Sequence, residues 1–265
     1  MIKKENFHTH SIYCDGKDTP EEMVLSTIEK GFTDLGFSGH AYIDDFECDW
    51  AMTAENSRKY ISEINDLKIK YRDKINIYCG TELDYFCTDV PGKYDFTIGS
   101  VHYLNMGGEY QAIDYSLNEQ QKAADKYFGG SLIDYAVEYY RITGDVLNKL
   151  NADIIGHFDL VTKFNEGQCA FDTGDKRYVN AWHDAVDALI PYNKPFEINT
   201  GAISRGYRKS PYPALDIAEY IHSKGGYFIL TSDCHDKNKL DCYFAEAEKE
   251  YSKFEIIKFS EILNK

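Results

Sequence analysis

The sequence predicts an α/β fold in which about seven parallel strands close into a barrel, and three observations predict it. Short β-rich apolar runs alternate with amphipathic, helix-like stretches along all 265 residues. Each run delivers polar side chains at its C-terminal end; a ring of strands gathers all such ends around one pocket, whereas an open sheet gathers only two or three at a switch point. No repeat, low-complexity tract or Pro/Gly/Ser linker divides the chain, so residues 1–265 read as one domain of a length that a single barrel routinely occupies.

The elements follow in order. "ENFH" is the first strand and ends on His8 and His10. "TPEEMVLSTIEKG" is a helix with Thr19 as N-cap, Pro20 at the first helical position and Glu22 completing a capping box. "TDLGFSG" leads to His40, and "TAENSRKYISEINDLKIKYR" is the helix after it. "KINIYCG" leads to Glu82 and "DFTIGS" to His102. "NEQQKAADKYF" and "SLIDYAVEYYRITGDVLNKL" read as helices, and "ADIIGH" ends on His157. "DKRYVNAWHDAVDALI" precedes "PFEINT" with Asn199, and "PALDIAEYIHSKGG" precedes "GYFILTS", which runs into Asp233 and His235. Repeated strand–helix–strand units imply parallel pairing with right-handed crossovers.

Composition narrows the function classes. A hydrophobic fraction of 43% and a charged fraction of 28% are ordinary for a globular core. Seven cysteines without any Cys-x-x-Cys pair read as reduced thiols, and no stretch reaches the roughly 18 apolar residues of a membrane span. The N-terminus lacks an apolar signal region, so the expectation is a soluble cytoplasmic protein, a monomer or small homo-oligomer. A net charge of −15 disfavours a nucleic-acid surface, and an anionic substrate would need positive charge supplied locally.

The strand ends supply it. His8, His10, Asp15, His40, Glu82, His102, His157, Asp233 and His235 offer six imidazoles and three carboxylates. A lone His-x-His is weak, with about 0.24 expected by chance in such a chain, but six of the eight histidines fall at predicted strand ends. Residues i and i+2 of a strand share a face, so His8/His10 and Asp233/His235 project together while Thr9 and Cys234 turn away. Four to six donors saturate one zinc, manganese or iron ion, so nine imply two or three divalent ions sharing carboxylates. His183 and His222 lie within helices and are read as structural.

The motifs "FHTH", "GFSGH", "GTELDY", "GSVH", "GHFD" and "SDCH" resemble, in sequence order, those of the PHP (polymerase and histidinol phosphatase) metal-dependent phosphoesterases. "YCGTELDY", "GSVHYL", "GHFDLVTKF" and "FEINTGAISRG" are most similar to the stand-alone members that act on histidinol phosphate in histidine biosynthesis. The resemblance implies a distorted seven-stranded, TIM-like (β/α)7 barrel and a trinuclear cluster on the same nine residues. It implies hydrolysis of L-histidinol phosphate to L-histidinol and inorganic phosphate. One departure is Gly39, where family members often carry an aspartate before the histidine of the second strand.

Three divalent ions against three carboxylates leave such a cluster at about +3. Metals lower the pKa of a bridging water, and the resulting hydroxide attacks phosphorus in line, with Asp233, His157 or a water protonating the leaving alkoxide. Arg205, close after the sixth strand, is the first choice for the phosphate, with Arg208 and Lys209 as alternates and Lys163 a second contact. Asp45, Glu47 and Asp114, in the loops after His40 and His102, are candidates for a cationic amine. Competing readings are another phosphoesterase of the superfamily, an amidohydrolase, and a noncatalytic metal-binding domain. An amidohydrolase barrel usually carries a lysine near the place of Glu82, and a structural site needs neither nine donors nor an arginine.

Overall fold

The structure, a computed structural model, describes residues 4–43, 48–88 and 92–263. Strands β1 (Glu5–Asn6), β2 (Asp34–Phe37), β3 (Asn76–Asp84) and β4 (Phe96–Ser100) come first, then a pair, β5 (Tyr103–Met106) and β6 (Glu109–Ala112), then β7 (Ile154–Ile155), β8 (Phe196–Asn199) and β9 (Phe228–Thr231). Seven of them form one parallel sheet in the order β1-β2-β3-β4-β7-β8-β9, with β5 and β6 as a separate antiparallel hairpin.

The two edges of the sheet meet. Thr9 bridges Cys234 in parallel register, with His10 N–H donating to Cys234 O at 2.8 Å and Cys234 N–H to His8 O at 3.0 Å. Below this bridge the Asn6 side chain stands in for the ladder, accepting from Ser232 N and donating to Ser232 Oγ and Leu240 O. The lower half of β9 pairs instead with Ile256. The result is a nearly closed barrel of seven strands, as the sequence predicts. Side chains fill the lower interior: Phe7, Phe96, Ile98, Ile154 and Ile229, plugged from below by Phe259. Phe7 meets Phe96 and Phe259 edge-on at 5.2 and 5.1 Å. The floor under the upper rim is therefore dry and packed.

The helices form where capping residues and apolar spacing direct them. Thr19 caps Pro20–Glu29 in a reciprocal box with Glu22; Thr53, Ser116, Ser131 and Asp175 cap the helices Ala54–Tyr71, Leu117–Tyr127, Leu132–Thr143 and Lys176–Leu189. Two readings need correction. The stretch 131–150 is two helices, Leu132–Thr143 and Val146–Leu150, parted at Gly144, which has poor helix propensity. The loop after His102 contains the β5–β6 hairpin, turned by Gly107 and Gly108 at φ +69° and +95°. Among the described residues no helix is long and apolar enough to cross a membrane.

Candidate metal centre

Glu82 is the centre of the upper rim. It lies near the end of β3, fully buried, and its two oxygens face different histidines. Oε2 is 3.1 Å from His8 Nε2, 3.0 Å from His40 Nδ1 and 3.7 Å from His10 Nε2; Oε1 is 2.9 Å from His157 Nε2 and 3.4 Å from His102 Nε2. Ser100 Oγ donates to Oε1 at 2.7 Å. A carboxylate divided in this way can be shared between cations.

The remaining acids bracket the same space. Asp233 Oδ1 lies 3.2 Å from His10 Nε2 and 3.7 Å from His8 Nε2, while Asp15 Oδ2 lies 3.1 Å from His235 Nε2 and Asp15 Oδ1 3.6 Å from His40 Nε2. Three sets have donor atoms close enough together for one ion each: His10, Asp15, His40 and His235; His8, His10 and Asp233; and His40, Glu82 and His102. His157 adjoins the third set through Glu82. All nine candidate ligands thus converge from six barrel strands and their loops.

The donor chemistry fits divalent cations. His10 Nε2 and His235 Nε2 are buried and make no hydrogen bond, although carboxylate oxygens lie within 3.2 Å of each. Burial, then the neighbouring His235 and His40, bring His10 down to about 3, leaving a neutral imidazole with a free lone pair. Burial alone would protonate the acids. The imidazoles of His8, His40 and His102 nevertheless hold Glu82 well below the usual carboxylate range, and Arg205 and His8 do the same for Asp233. His102 is pushed up to about 9, where Glu82 and Asp84 outweigh burial, so loading a cation there displaces a proton.

A second layer that sequence reasoning missed orients these ligands. Glu197, buried within β8, takes His8 Nδ1–H at 2.6 Å on one oxygen and His157 N–H at 2.9 Å on the other, with Asn199 Nδ2 donating at 3.2 Å. Asn199 is thereby a buried support and not a ligand. Asp84 accepts from His102 N–H at 2.8 Å and faces its Nδ1 at 3.3 Å. His40, which follows Gly39, is braced by the edge of the Trp50 ring at 4.5 Å. Asp233 has φ +46°, and a Cβ on Gly201 would lie 2.7 Å from Asp233 Cβ, so only glycine admits the carboxylate in this position. Glu197 shares the inward face with Asn199 two residues on, but nothing local marks it as the partner of His8.

Asp15, His40, His102, His157, Asp233 and His235 line a cavity of about 570 Å³, together with Asp49, Trp50, Tyr103, Asp114, Tyr115, Arg205 and Tyr207. Arg205 donates to Asp233 Oδ2 at 3.0 Å, and its guanidinium is about 30% exposed toward the cavity. Asp114 lines the cavity as expected. Lys163 does not: its Nζ is buried against Asp114, donating to the carboxylate at 2.9 Å and the carbonyl at 2.8 Å. Arg208 also turns away, donating to Thr162 Oγ1 and lying 3.5 Å from Asp159 in a different cavity, because the glycine turn after Arg205 reverses the chain. Lys209 is exposed outside the cavity lining. Asp45 and Glu47 lie outside the described residues; in their loop it is Asp49 and Trp50 that line the cavity. His183 stacks on Tyr220 at 4.0 Å, away from the centre.

The model of the PHP domain matches residues 6–201. The chain belongs to the PHP domain family. Asp233, His235 and Arg205 lie beyond the matched residues and join the site by geometry. A relative from Schizosaccharomyces pombe named "Probable histidinol-phosphatase" is 26% identical, over 88% of this chain and 81% of the relative. Among solved structures, a histidinol phosphatase candidate from Listeria monocytogenes superposes with a TM-score of 0.77 at 20% identity, covering 92% of this chain and 99% of the other. A histidinol phosphate phosphatase from Lactococcus lactis, complexed with zinc, L-histidinol and phosphate, superposes with a TM-score of 0.65 at 22% identity, covering 96% and 95%. At these identities the two structures establish the PHP barrel fold.

Proposed function

We propose that this PHP protein is a metal-dependent phosphomonoesterase that hydrolyses L-histidinol phosphate to L-histidinol and inorganic phosphate in histidine biosynthesis. The observation that carries this reading is a cavity lined both by six of the nine candidate ligands with Arg205 and, beside them, by Asp49 and Asp114 among Trp50, Tyr103 and Tyr115. A phosphate ester that also bears an amine and an imidazole matches both kinds of lining. The Schizosaccharomyces pombe relative bears the corresponding name, and the Lactococcus lactis structure contains both products and zinc.

Two or three ions, of zinc, manganese or iron, suit the His10–Asp15–His40–His235, His8–His10–Asp233 and His40–Glu82–His102 sets, with His157 beside Glu82. When bound, such ions supply Lewis acidity toward a phosphoryl oxygen and lower the pKa of an attacking water. Arg205 lends its exposed N–H groups to the equatorial oxygens while Asp233 holds the guanidinium in place. Of the candidate proton donors to the leaving alkoxide, His157, which lines the cavity, or a bound water is the better reading, because Asp233 is held ionised beside Arg205 and His8. Glu197 fixes His8 and the His157 backbone so that neither reorients during turnover.

The test is phosphate release by the metal-replete protein from a panel of phosphomonoesters, with and without a chelator. Preferential turnover of L-histidinol phosphate that chelation abolishes is the expected result. Equal turnover of every ester, or none on histidinol phosphate, refutes the assignment.

A further inference from the structure

Arg208 is a buried cation in the loop that follows β8, and neither the cluster nor the cavity uses it. Its guanidinium donates to Thr162 Oγ1 and to Ser210 Oγ at 3.3 Å, lies 3.5 Å from Asp159 Oδ2 and packs over the Tyr212 ring at 4.4 Å. Asp159 is fully buried and also accepts from Ala214 N–H at 3.2 Å.

These partners stand on segments of the site. Asp159 and Thr162 directly follow His157, and Tyr212 pairs through its backbone with Asn199 in both directions at 2.7 and 3.0 Å. Between the two arginines the chain is a compact turn on the short helix Gly201–Ser204: Arg205 N–H reaches Gly201 O, Gly206 N–H reaches Ile203 O at φ +80°, and Tyr207 and Arg208 N–H both reach Ala202 O. Arg205 leaves this turn toward Asp233 and Arg208 leaves it toward Asp159. The turn is held at one end by a buried ion pair and presents the partly exposed Arg205 side chain at the other.

We propose that Arg208 is a positioning residue: clamped on Asp159 and Thr162, it fixes the turn that presents Arg205 to the cavity, and so sets how tightly the phosphoryl group is held. This rests on the reading of Arg205 as the phosphate-binding arginine. Arg208 touches neither substrate nor ion. Its loss leaves the cation content intact and loosens phosphate, because a side chain displaced by about 1 Å can lose on the order of a hundredfold in rate.

The experiment is a double-mutant cycle on the metal-replete protein with R208M, R205M and R205M/R208M. It reads KM and kcat on histidinol phosphate, inhibition by inorganic phosphate, the phosphate-induced rise in Tm, and metal content. Expected for R208M are a roughly ten- to hundredfold loss of kcat/KM, a parallel weakening of phosphate inhibition, a smaller Tm rise and unchanged metal. R208K recovers part of each, and the double variant is no worse than R205M. Should R208M not fold, D159N and R208K shift the same quantities in the same direction. Losses that multiply in the double variant, unchanged phosphate inhibition in R208M and D159N, or loss of metal overturn the positioning role. If R205M itself leaves phosphate inhibition unchanged, the phosphate-arginine reading has failed, and this inference with it; a strong R205M effect beside additive losses sinks the inference alone.

Discussion

Glu197→Gln tests whether the cluster depends on its support as the geometry requires. The carboxylate is fully buried and accepts on both oxygens, from His8 Nδ1–H, His157 N–H and Asn199 Nδ2. Glutamine keeps the shape but turns one oxygen into an NH2 group. If the amide faces His8, two donors meet and the ring must flip or shift; if it faces the other side, His157 N–H and Asn199 lose their acceptor. Either way at least one buried donor goes unsatisfied, at about 1–3 kcal/mol of folding stability. For a chain of this size that is a fall in Tm of very roughly 2–10 °C. Loss of a supporting partner typically costs about 10- to 100-fold in metal affinity, which is roughly 1.4–2.8 kcal/mol. Because Glu197 holds two candidate ligands, the upper part of that range is expected. Titrating the metal-free variant with zinc against a chromophoric chelator measures the affinity directly, and excess metal should restore activity. An affinity within twofold of the parent refutes the reasoning.

Further outcomes follow from other parts of the site. Asp15→Ala or His235→Ala removes a donor from the four-residue set alone, so each should lose about one ion per chain while circular dichroism stays unchanged; a metal stoichiometry unchanged from the parent in both variants, by elemental analysis, contradicts the cluster. Gly201→Ala places a methyl 2.8 Å from Asp233 Oδ2, and the carboxylate must retreat by about 0.6 Å, with activity falling up to ~100-fold by steady-state kinetics. Thr19→Ala, remote from the cluster, should cost about 1 kcal/mol in denaturant unfolding through loss of the capping box and leave kcat/KM alone.

What the sequence made legible is whatever has a period or a fixed local partner. His8/His10 and Asp233/His235 obey the two-residue strand repeat, and Thr19, Pro20 and Glu22 form a helix start within four positions, so both were readable without knowing the fold. Glu197 was not, because its meaning comes from His8, 189 positions earlier, and an acid inside a strand has no significance until that partner is placed. The loops gave the least. Lys163 and Arg208 share the composition and neighbourhood of a phosphate-binding residue, yet Lys163 pairs with Asp114 and a glycine turn sends Arg208 to the buried Asp159, and no periodicity marks either direction. The β5–β6 hairpin was readable in principle, since Gly107-Gly108 is a hairpin turn signal, but the polar residues around it suggested an open loop.

The distribution of charge explains how so acidic a chain can favour a phosphate ester, and which way round. Three carboxylates against the proposed two or three divalent ions would leave the cluster at about +1 to +3, and Arg205 adds another charge. In the same cavity, Asp114 is ion-paired with Lys163, whereas Asp49 is exposed on the cavity surface. The packed aromatic floor beneath Glu82 and the stacked Trp50 and Tyr103 rings are low-dielectric surfaces that strengthen this field. A ligand carrying a phosphate and a cationic amine would set the phosphate against the cluster and Arg205, because the amine there would meet like charge. The net charge of −15 is a property of the whole chain, while the sign inside the cavity is set by a few residues and by the cations they would hold.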